Sequence, residues 1–250
     1  MKQRREGIVE LVNNEGAVSF AKIKAAFPDV SEMTLRNDLK YLDQEHRIVR
    51  VYGGAKSVEV VIGTDDLFYK RSSRNVEKKR LITEKALELM HPGTSVFLDS
   101  GTTVTQLARV LPDQPYLVFT SGISCALELS RLTQSQIHVI GGRMNRYSLS
   151  VNGINSVREV ERVNFNIAFL GVTGYNSETG FNCGVEEESE LKKAVIRRAE
   201  KTVILMDSQK VGIVNTFTFA TLRDVDVVIS DDELDQEARA LFESHGIEVL

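Results

Sequence analysis

Four polar segments, each following an apolar run, hold the residue types needed to grip a phosphorylated small molecule. They are Asp99-Ser100-Gly101-Thr102-Thr103, Thr120-Ser121, Gly141-Gly142-Arg143, and Asp207 with Lys210 three residues on; Gly171 closes a further apolar run. In the first, Gly101 would let the backbone approach an anion. Thr102 and Thr103 would add hydroxyls and the free N–H groups of a helix's opening turn, where the helix dipole favours negative charge. The segment is neither a Walker A loop nor a GxGxxG fingerprint, and alone it also fits a capped turn with no ligand. Glu188 and Lys192, four residues apart, supply an acid and a cation. Beside a bound ligand, such a pair could serve acid–base chemistry. Their plainer reading is an i,i+4 surface salt bridge.

A second chemistry sits near the N-terminus. In "SEMTLRNDLKYLDQEHR" the leucines Leu35, Leu39 and Leu42 share one helical face, which leaves Thr34, Arg36, Asn37, Lys40 and Tyr41 on the outward side. Arg suits the acceptors of guanine, Asn pairs with adenine, and Lys and Thr hold phosphates. Ser31 is the expected N-cap of this helix. The stretch "RIVRVYGGA" alternates apolar and basic residues and ends on two glycines, which reads as a β-wing carrying Arg47, Arg50, Tyr52 and Gly53. A protein-docking module with a merely solvated polar face is the competing reading.

The elements that must position these groups follow from periodicity. Ile8, Leu11 and Val12 mark a first helix stopped at Gly16, and Ser19 caps a second bearing Phe20, Ile23 and Phe27 until Pro28-Asp29. With the Leu35 helix these make a helix-turn-helix. Residues 56–75 keep no steady period and read as a connector. A helix through Leu81, Ile82, Ala86 and Leu89 follows, ended by Pro92-Gly93. From there apolar runs ("SVFLD", "YLVFTS", "IHVIGG", "NIAFLGV", "TVILMD", "VDVVISD") alternate with amphipathic stretches. Such runs predict a mainly parallel sheet covered on both faces, with ligands outside the carboxyl ends of its strands. The boundaries expected are a DNA-binding head at 1–57, a linker at 58–75 and a ligand-binding domain at 76–250.

Composition narrows the field. Hydrophobic residues make up 42% and charged residues 26%, ordinary for a globular chain, and no apolar stretch approaches the roughly 20 residues needed to span a bilayer. The acid-bearing N-terminus lacks the apolar core of a signal peptide. Two cysteines and four scattered histidines (His46, His91, His138, His245) suggest no disulfide framework and no metal site. A cytoplasmic protein without a cofactor is expected. Through Arg80 bases outnumber acids by four, whereas the rest carries eight more acids than bases. That asymmetry suits a head meeting an anionic polymer and a body that does not.

The segment "SEMTLRNDLKYLDQEHRIVRVYGGA" resembles the signature of DeoR-family bacterial transcription regulators, which reads Ser-Glu-x-Thr-Ile-Arg-Arg-Asp-Leu and closes on His-Gly-Gly-Ala. Ser31, Thr34, Arg36, Asp38, Leu39, Gly53, Gly54 and Ala55 match it, whereas Asn37 replaces the second arginine and Tyr52 the histidine. The ordered loops "LDSGTT", "FTSG", "IGGR" and "MDSQKVG" resemble the effector domain of the same family, itself similar to ribose-5-phosphate isomerase and glucosamine-phosphate deaminase. The resemblance implies an α/β chain: a winged helix-turn-helix followed by a Rossmann-like, mainly parallel sheet domain. It further implies a repressor of a carbohydrate operon that binds double-stranded operator DNA as a homodimer or homotetramer and responds to a phosphorylated sugar. Asp99, Gly101, Thr102 and Thr103 would form the phosphate loop, Gly141-Gly142 would allow close approach, and Lys210 would be the cation. Ser121 stands where asparagine is usual. Glu188 and Lys192 match an acid–lysine pair common in the family. The alternative is a sugar-phosphate isomerase or deaminase-like enzyme.

Overall fold

The computed structural model describes residues 2–15, 17–45, 47–51, 53–57 and 68–250. They fall into two compact units, divided between Leu67 and Phe68.

The smaller unit is built on α1 (Lys2–Glu15), β1 (Ala17–Ser19), α2 (Phe20–Ala26), α3 (Glu32–Gln44), β2 (Val49–Val51) and β3 (Gly54–Lys56). Ser19 caps α2 by accepting the Lys22 N–H at 3.3 Å, and Ser31 caps α3 by accepting that of Thr34 at 3.2 Å. The apolar stripes predicted from spacing meet in one core of Ile8, Val12, Ile23, Leu35, Leu39 and Leu42 with wing residues Ile48 and Ala55. Periodicity did not reveal β1, which pairs antiparallel with β3 so that the wing becomes a three-stranded sheet. Gly54 permits this: a Cβ there would stand 2.2 Å from the Val18 carbonyl oxygen. Asp38, a polar residue on the inward face of α3, is buried and paired with Arg4 (2.6 Å) and Arg5 (2.7 Å), which ties α1 to α3.

The larger unit opens with α4 (Phe68–Ser73), a helix inside the stretch read as connector, and α5 (Val76–Leu87). Its sheet has seven strands in the order β15-β14-β12-β9-β4-β5-β6, with every neighbouring pair parallel. These are β4 (Ser95–Leu98), β5 (Leu117–Thr120), β6 (Gln136–Val139), β9 (Phe165–Gly171), β12 (Ala199–Leu205), β14 (Val227–Ile229) and β15 (Glu248–Val249). The last was not foreseen, being only two residues long. Val96 and Leu98 turn to a core shared with α5, α6 (Thr102–Val110) and α7 (Ile123–Leu129). Phe97 turns to the opposite core, shared with α8 (Ile154–Val160), α9 (Glu186–Arg198) and α10 (Gln236–Ser244). Both faces are therefore dry, which is why the strands read as unbroken apolar runs. Two antiparallel additions escaped the sequence reading: a β7 (Arg143–Asn145)–β8 (Ser150–Asn152) ribbon, and a small sheet of β10 (Gly174–Asn176), β11 (Gly180–Cys183) and β13 (Phe217–Ala220).

The strand order determines where a ligand can sit. From β4 the chain winds outward through β5 and β6, then crosses back to β9 and winds the other way through β12, β14 and β15. The winding reverses between β4 and β9, and in an open parallel sheet that switch point opens a crevice beyond the carboxyl ends of the two strands. Among the described residues no helix is long and apolar enough to cross a membrane, and no group of three or more His, Cys, Asp or Glu is placed to hold a metal ion.

Candidate functional site

The β4–β9 crevice is occupied by charge. Asp99, just past β4, is buried and accepts the Gly171 N–H from the end of β9 at 3.0 Å. Lys192, reaching up from α9, donates to the Asp99 carboxylate and to the Gly171 carbonyl at 2.9 Å. Burial works against the ammonium, but the Asp99 carboxylate beside it prevails and holds its pKa above the ordinary lysine value. One turn earlier on α9, buried Glu188 accepts the hydroxyls of Ser148 (2.7 Å) and Ser150 (2.8 Å). The surface-pair reading of Glu188 and Lys192 is thus overturned: both point inward, each to partners on other elements. A helix rich in Glu and Lys conceals this in sequence, because only packing decides which of its faces is buried.

The loop after β4 has the features an anion needs. Gly101 adopts φ +115°, a backbone favouring glycine, and the space where a Cβ would project is open. No side chain caps α6, whose opening turn carries the half-buried Thr102 and Thr103. Behind the turn the packing is firm. Thr105 donates to the Gly101 carbonyl at 2.8 Å, and the Cys125 thiol donates to that of Asp99 at 3.3 Å. Burial pushes the Cys125 thiol up to about 12, so this cysteine packs and does not react. Ser100 is buried too. At the end of β5, Thr120 accepts the Gly122 N–H at 3.0 Å, and the fully buried Ser121 hydroxyl has no partner.

The remaining expected residues divide. Gly142, at φ +155°, is a close-approach position, but the approach is to its own chain: a Cβ would lie 2.3 Å from the Ser156 hydroxyl and 2.6 Å from the Asn152 carbonyl oxygen. The Gly141 N–H is taken by Glu159 at 2.9 Å. Gly142 therefore has a packing reason of its own to be glycine. Arg143 is exposed and pairs with Glu187. It lines a cleft of about 220 Å³ with Asn145, Arg146, Tyr147 and Asn152, residues that sequence reasoning passed over because the ribbon itself went unseen. Lys210 ends a 3-10 turn, Ser208–Lys210, capped by Asp207; no hydrogen bond or ion pair among the described residues joins it to the Gly101 turn. The missed cation nearby is Lys79. It is buried, donates to the Arg74 and Arg71 carbonyls, and is pushed down to about 8 by burial, with Asp207 opposing and Lys210 adding to the shift.

In the smaller unit Arg36, Asn37 and Lys40 are exposed on α3, opposite buried Leu35, Asp38, Leu39 and Leu42. Thr34 is half-buried and its hydroxyl meets that of Ser31 at 2.9 Å, so the two close the helix cap. Arg36 lies 4.3 Å from the Phe20 ring centre and 3.3 Å from Glu32. It faces Arg50 and Gly53 (φ +83°) across a groove of about 410 Å³ between α3 and the wing. Arg47 is different: both guanidinium nitrogens bond Glu6, at 2.7 and 2.6 Å, which fastens α1 to the approach to the wing. Tyr52 lies outside the described residues.

The model of the DeoR-like helix-turn-helix domain matches residues 4–61, and that of the DeoR C-terminal sensor domain matches residues 74–232. The chain belongs to the DeoR family of transcriptional regulators. It is 32% identical to the HTH-type transcriptional regulator GlpR of Haloferax volcanii over 99% of this chain and 96% of that one. It is 29% identical to the lactose phosphotransferase system repressor of Streptococcus mutans over 96% of each chain. Among solved structures, ribose 5-phosphate isomerase A of Methanocaldococcus jannaschii aligns with a TM-score of 0.40 and 16% identity over 55% of each chain. The chain is therefore a DNA-binding transcriptional regulator, not an enzyme; the isomerase alternative raised by Glu188 and Lys192 is set aside. The β4–β9 crevice and the Gly101 turn lie in the sensor domain of this regulator, and the α3–wing groove lies in its helix-turn-helix domain.

Proposed function

We propose that this regulator represses a carbohydrate-use operon and releases its operator when a phosphorylated sugar binds at the β4–β9 crevice. The observation that carries the reading is the Gly101 turn: an uncapped helix N-terminus beside the unpartnered Ser121 hydroxyl and the buried Lys192–Asp99 pair. A phosphate at the turn and sugar hydroxyls toward Ser121 would use donors the protein leaves open. Both nearby carboxylates are already spent on protein donors, Asp99 on Lys192 and Gly171, Glu188 on two serines. That suits holding a ligand better than moving its protons. The named lactose-system repressor supports the carbohydrate assignment.

The contacts we assign to DNA are Arg36, Asn37, Lys40, Arg50, Tyr52 and Gly53, with Ser31 and Thr34 presenting the start of α3. The effector would meet Gly101, Thr102, Thr103 and Ser121, while Asp99 and Lys192 organise the crevice and Lys210 lends charge from the next strand. Residues 1–57 would act as the head, 58–75 as the linker and 76–250 as the sensor, in a cytoplasmic homodimer or homotetramer whose paired heads engage repeated half-sites. Titration of wild type and Thr103→Asp with a panel of sugar phosphates, read by calorimetry and by release of operator DNA, tests this. Wild type should bind one of them and let go of DNA. The variant, with a carboxylate where the anion must sit, should bind DNA normally and ignore the sugar. Normal heat and normal release from Thr103→Asp would remove the turn from the site.

A further inference from the structure

Met33 is an exposed apolar side chain at the N-terminal end of the polar stripe of α3, the aromatic Tyr41 lying two turns further on. Met33 is the second residue of the helix and is 70% exposed. Residues 33, 36, 37 and 40 follow the i, i+3, i+4, i+7 spacing of one helical face, so Met33 shares its face with the exposed Arg36, Asn37 and Lys40, away from the core. The opposite face buries Leu35, Asp38, Leu39 and Leu42 and holds the helix rigidly against α1 through the Asp38–Arg4 and Asp38–Arg5 pairs. A helix-turn-helix sends the first residues of its second helix deepest into the major groove, toward base edges. Cations flank that end: Arg36 sits over Phe20, and Arg50 lies across the groove. Although Glu32 lies 3.3 Å from Arg36, this end of α3 fits a polyanion that offers an apolar feature to Met33. In the major groove only thymine's C5-methyl does so.

We infer that Met33 reads the methyl group of an operator thymine and is a determinant of which sequence the regulator selects. The side chain suits the task, since an unbranched thioether fits a methyl in several rotamers. Arg36 and Asn37, one turn on, would read the neighbouring base pairs by hydrogen bonds. This rests on α3 being the recognition helix.

The test uses the full-length chain and a duplex selected by it from a random-sequence library. Each thymine of that duplex is replaced in turn by uracil, which removes the methyl and nothing else. At one or two positions the exchange should weaken wild-type binding about fourfold, the worth of one buried carbon. Met33→Ala should bind the unmodified duplex weaker by a similar factor and lose nothing further on the uracil exchange, while Met33→Leu should retain the sensitivity. The melting temperature of each variant should match wild type, because the side chain is exposed. Uracil losses equal in wild type and Met33→Ala, or unchanged affinity in Met33→Ala, would overturn the inference. If Arg36→Ala and Asn37→Ala still weaken binding, it fails alone; if they too leave affinity unchanged, the recognition-helix reading fails with it.

Discussion

Lys192 and Asp99 stand 93 residues apart in the chain and meet in the dry crevice between β4 and β9, each under a tenth exposed. The pair joins α9 to the two strands at which the winding of the sheet reverses. It sits directly behind the turn that begins α6. Any group bound at that turn would lie next to a fixed, internally compensated dipole.

Removing one partner should therefore cost more than removing both. Lys192→Met strands a buried carboxylate and should lower the stability of the sensor unit by about 3–5 kcal/mol. Lys192→Met combined with Asp99→Leu should recover a substantial part of that loss, though the Gly171 N–H then goes without its acceptor. Urea unfolding of Lys192→Met, Asp99→Leu and the double variant measures the differences. Equal, additive losses would mean that the two charges do not depend on each other.

The two glycines after β6 separate cleanly. Gly142→Ala forces a methyl into the Ser156 hydroxyl and the Asn152 carbonyl at a positive φ and should destabilise by about 1–3 kcal/mol. Gly141→Ala, whose new carbon would find only Glu159 at 3.5 Å, should melt close to wild type. Thermal unfolding of both distinguishes a packing glycine from a permissive one.

The head should be acid-sensitive through Asp38. Burial alone would raise this carboxyl, but the hydrogen bonds and charges of Arg4 and Arg5 prevail and hold it below the usual range. The unfolded chain takes up its proton at a higher pH than the folded head. The stabilisation is therefore complete above about pH 5 and fades as the pH falls through the ordinary carboxylate range toward the folded value. Asp38→Asn should cost the head about 1–3 kcal/mol at pH 7. Its difference from wild type should shrink steadily as the pH is lowered from 5 to 3, as followed by circular dichroism.

DNA binding should separate the arginines by role. Arg36→Ala should weaken operator binding by about 1–3 kcal/mol with relaxed preference at one base pair if it reads a base. Arg50→Ala should lower the salt slope by about one phosphate contact. Arg47→Ala, which releases Glu6, should instead lower the melting temperature of the head and leave the slope near wild type. A full unit of lost slope in Arg47→Ala would place its guanidinium on DNA rather than on Glu6.

Local spacing determined a good deal of this molecule. Leu35, Leu39 and Leu42 put Arg36, Asn37 and Lys40 on the outside of α3, and Ser19 and Ser31 begin their helices because a cap needs only neighbours within three residues. The unbroken apolar runs announced a parallel sheet with both faces covered, and the polar ends of those runs named Asp99 and the Gly101 turn. These are short-range properties of a chain, carried by periods of two and 3.6.

Tertiary structure alone decided what lies beyond a helical turn or a strand. The strand order, and with it the switch point between β4 and β9, depends on which apolar runs pair, and every run here is apolar enough to pair with any other. Whether Glu188 and Lys192 meet water or a buried carboxylate depends on how α9 is rotated against the sheet, and a charged helix gives its own sequence no reason to bury that face. Gly142 is a glycine because Asn152 and Ser156 come back to meet it, and Asp38 is an aspartate because Arg4 and Arg5 arrive from another helix. Such choices are made by partners far away in the chain, whose cost or benefit exists only once the fold has closed around them.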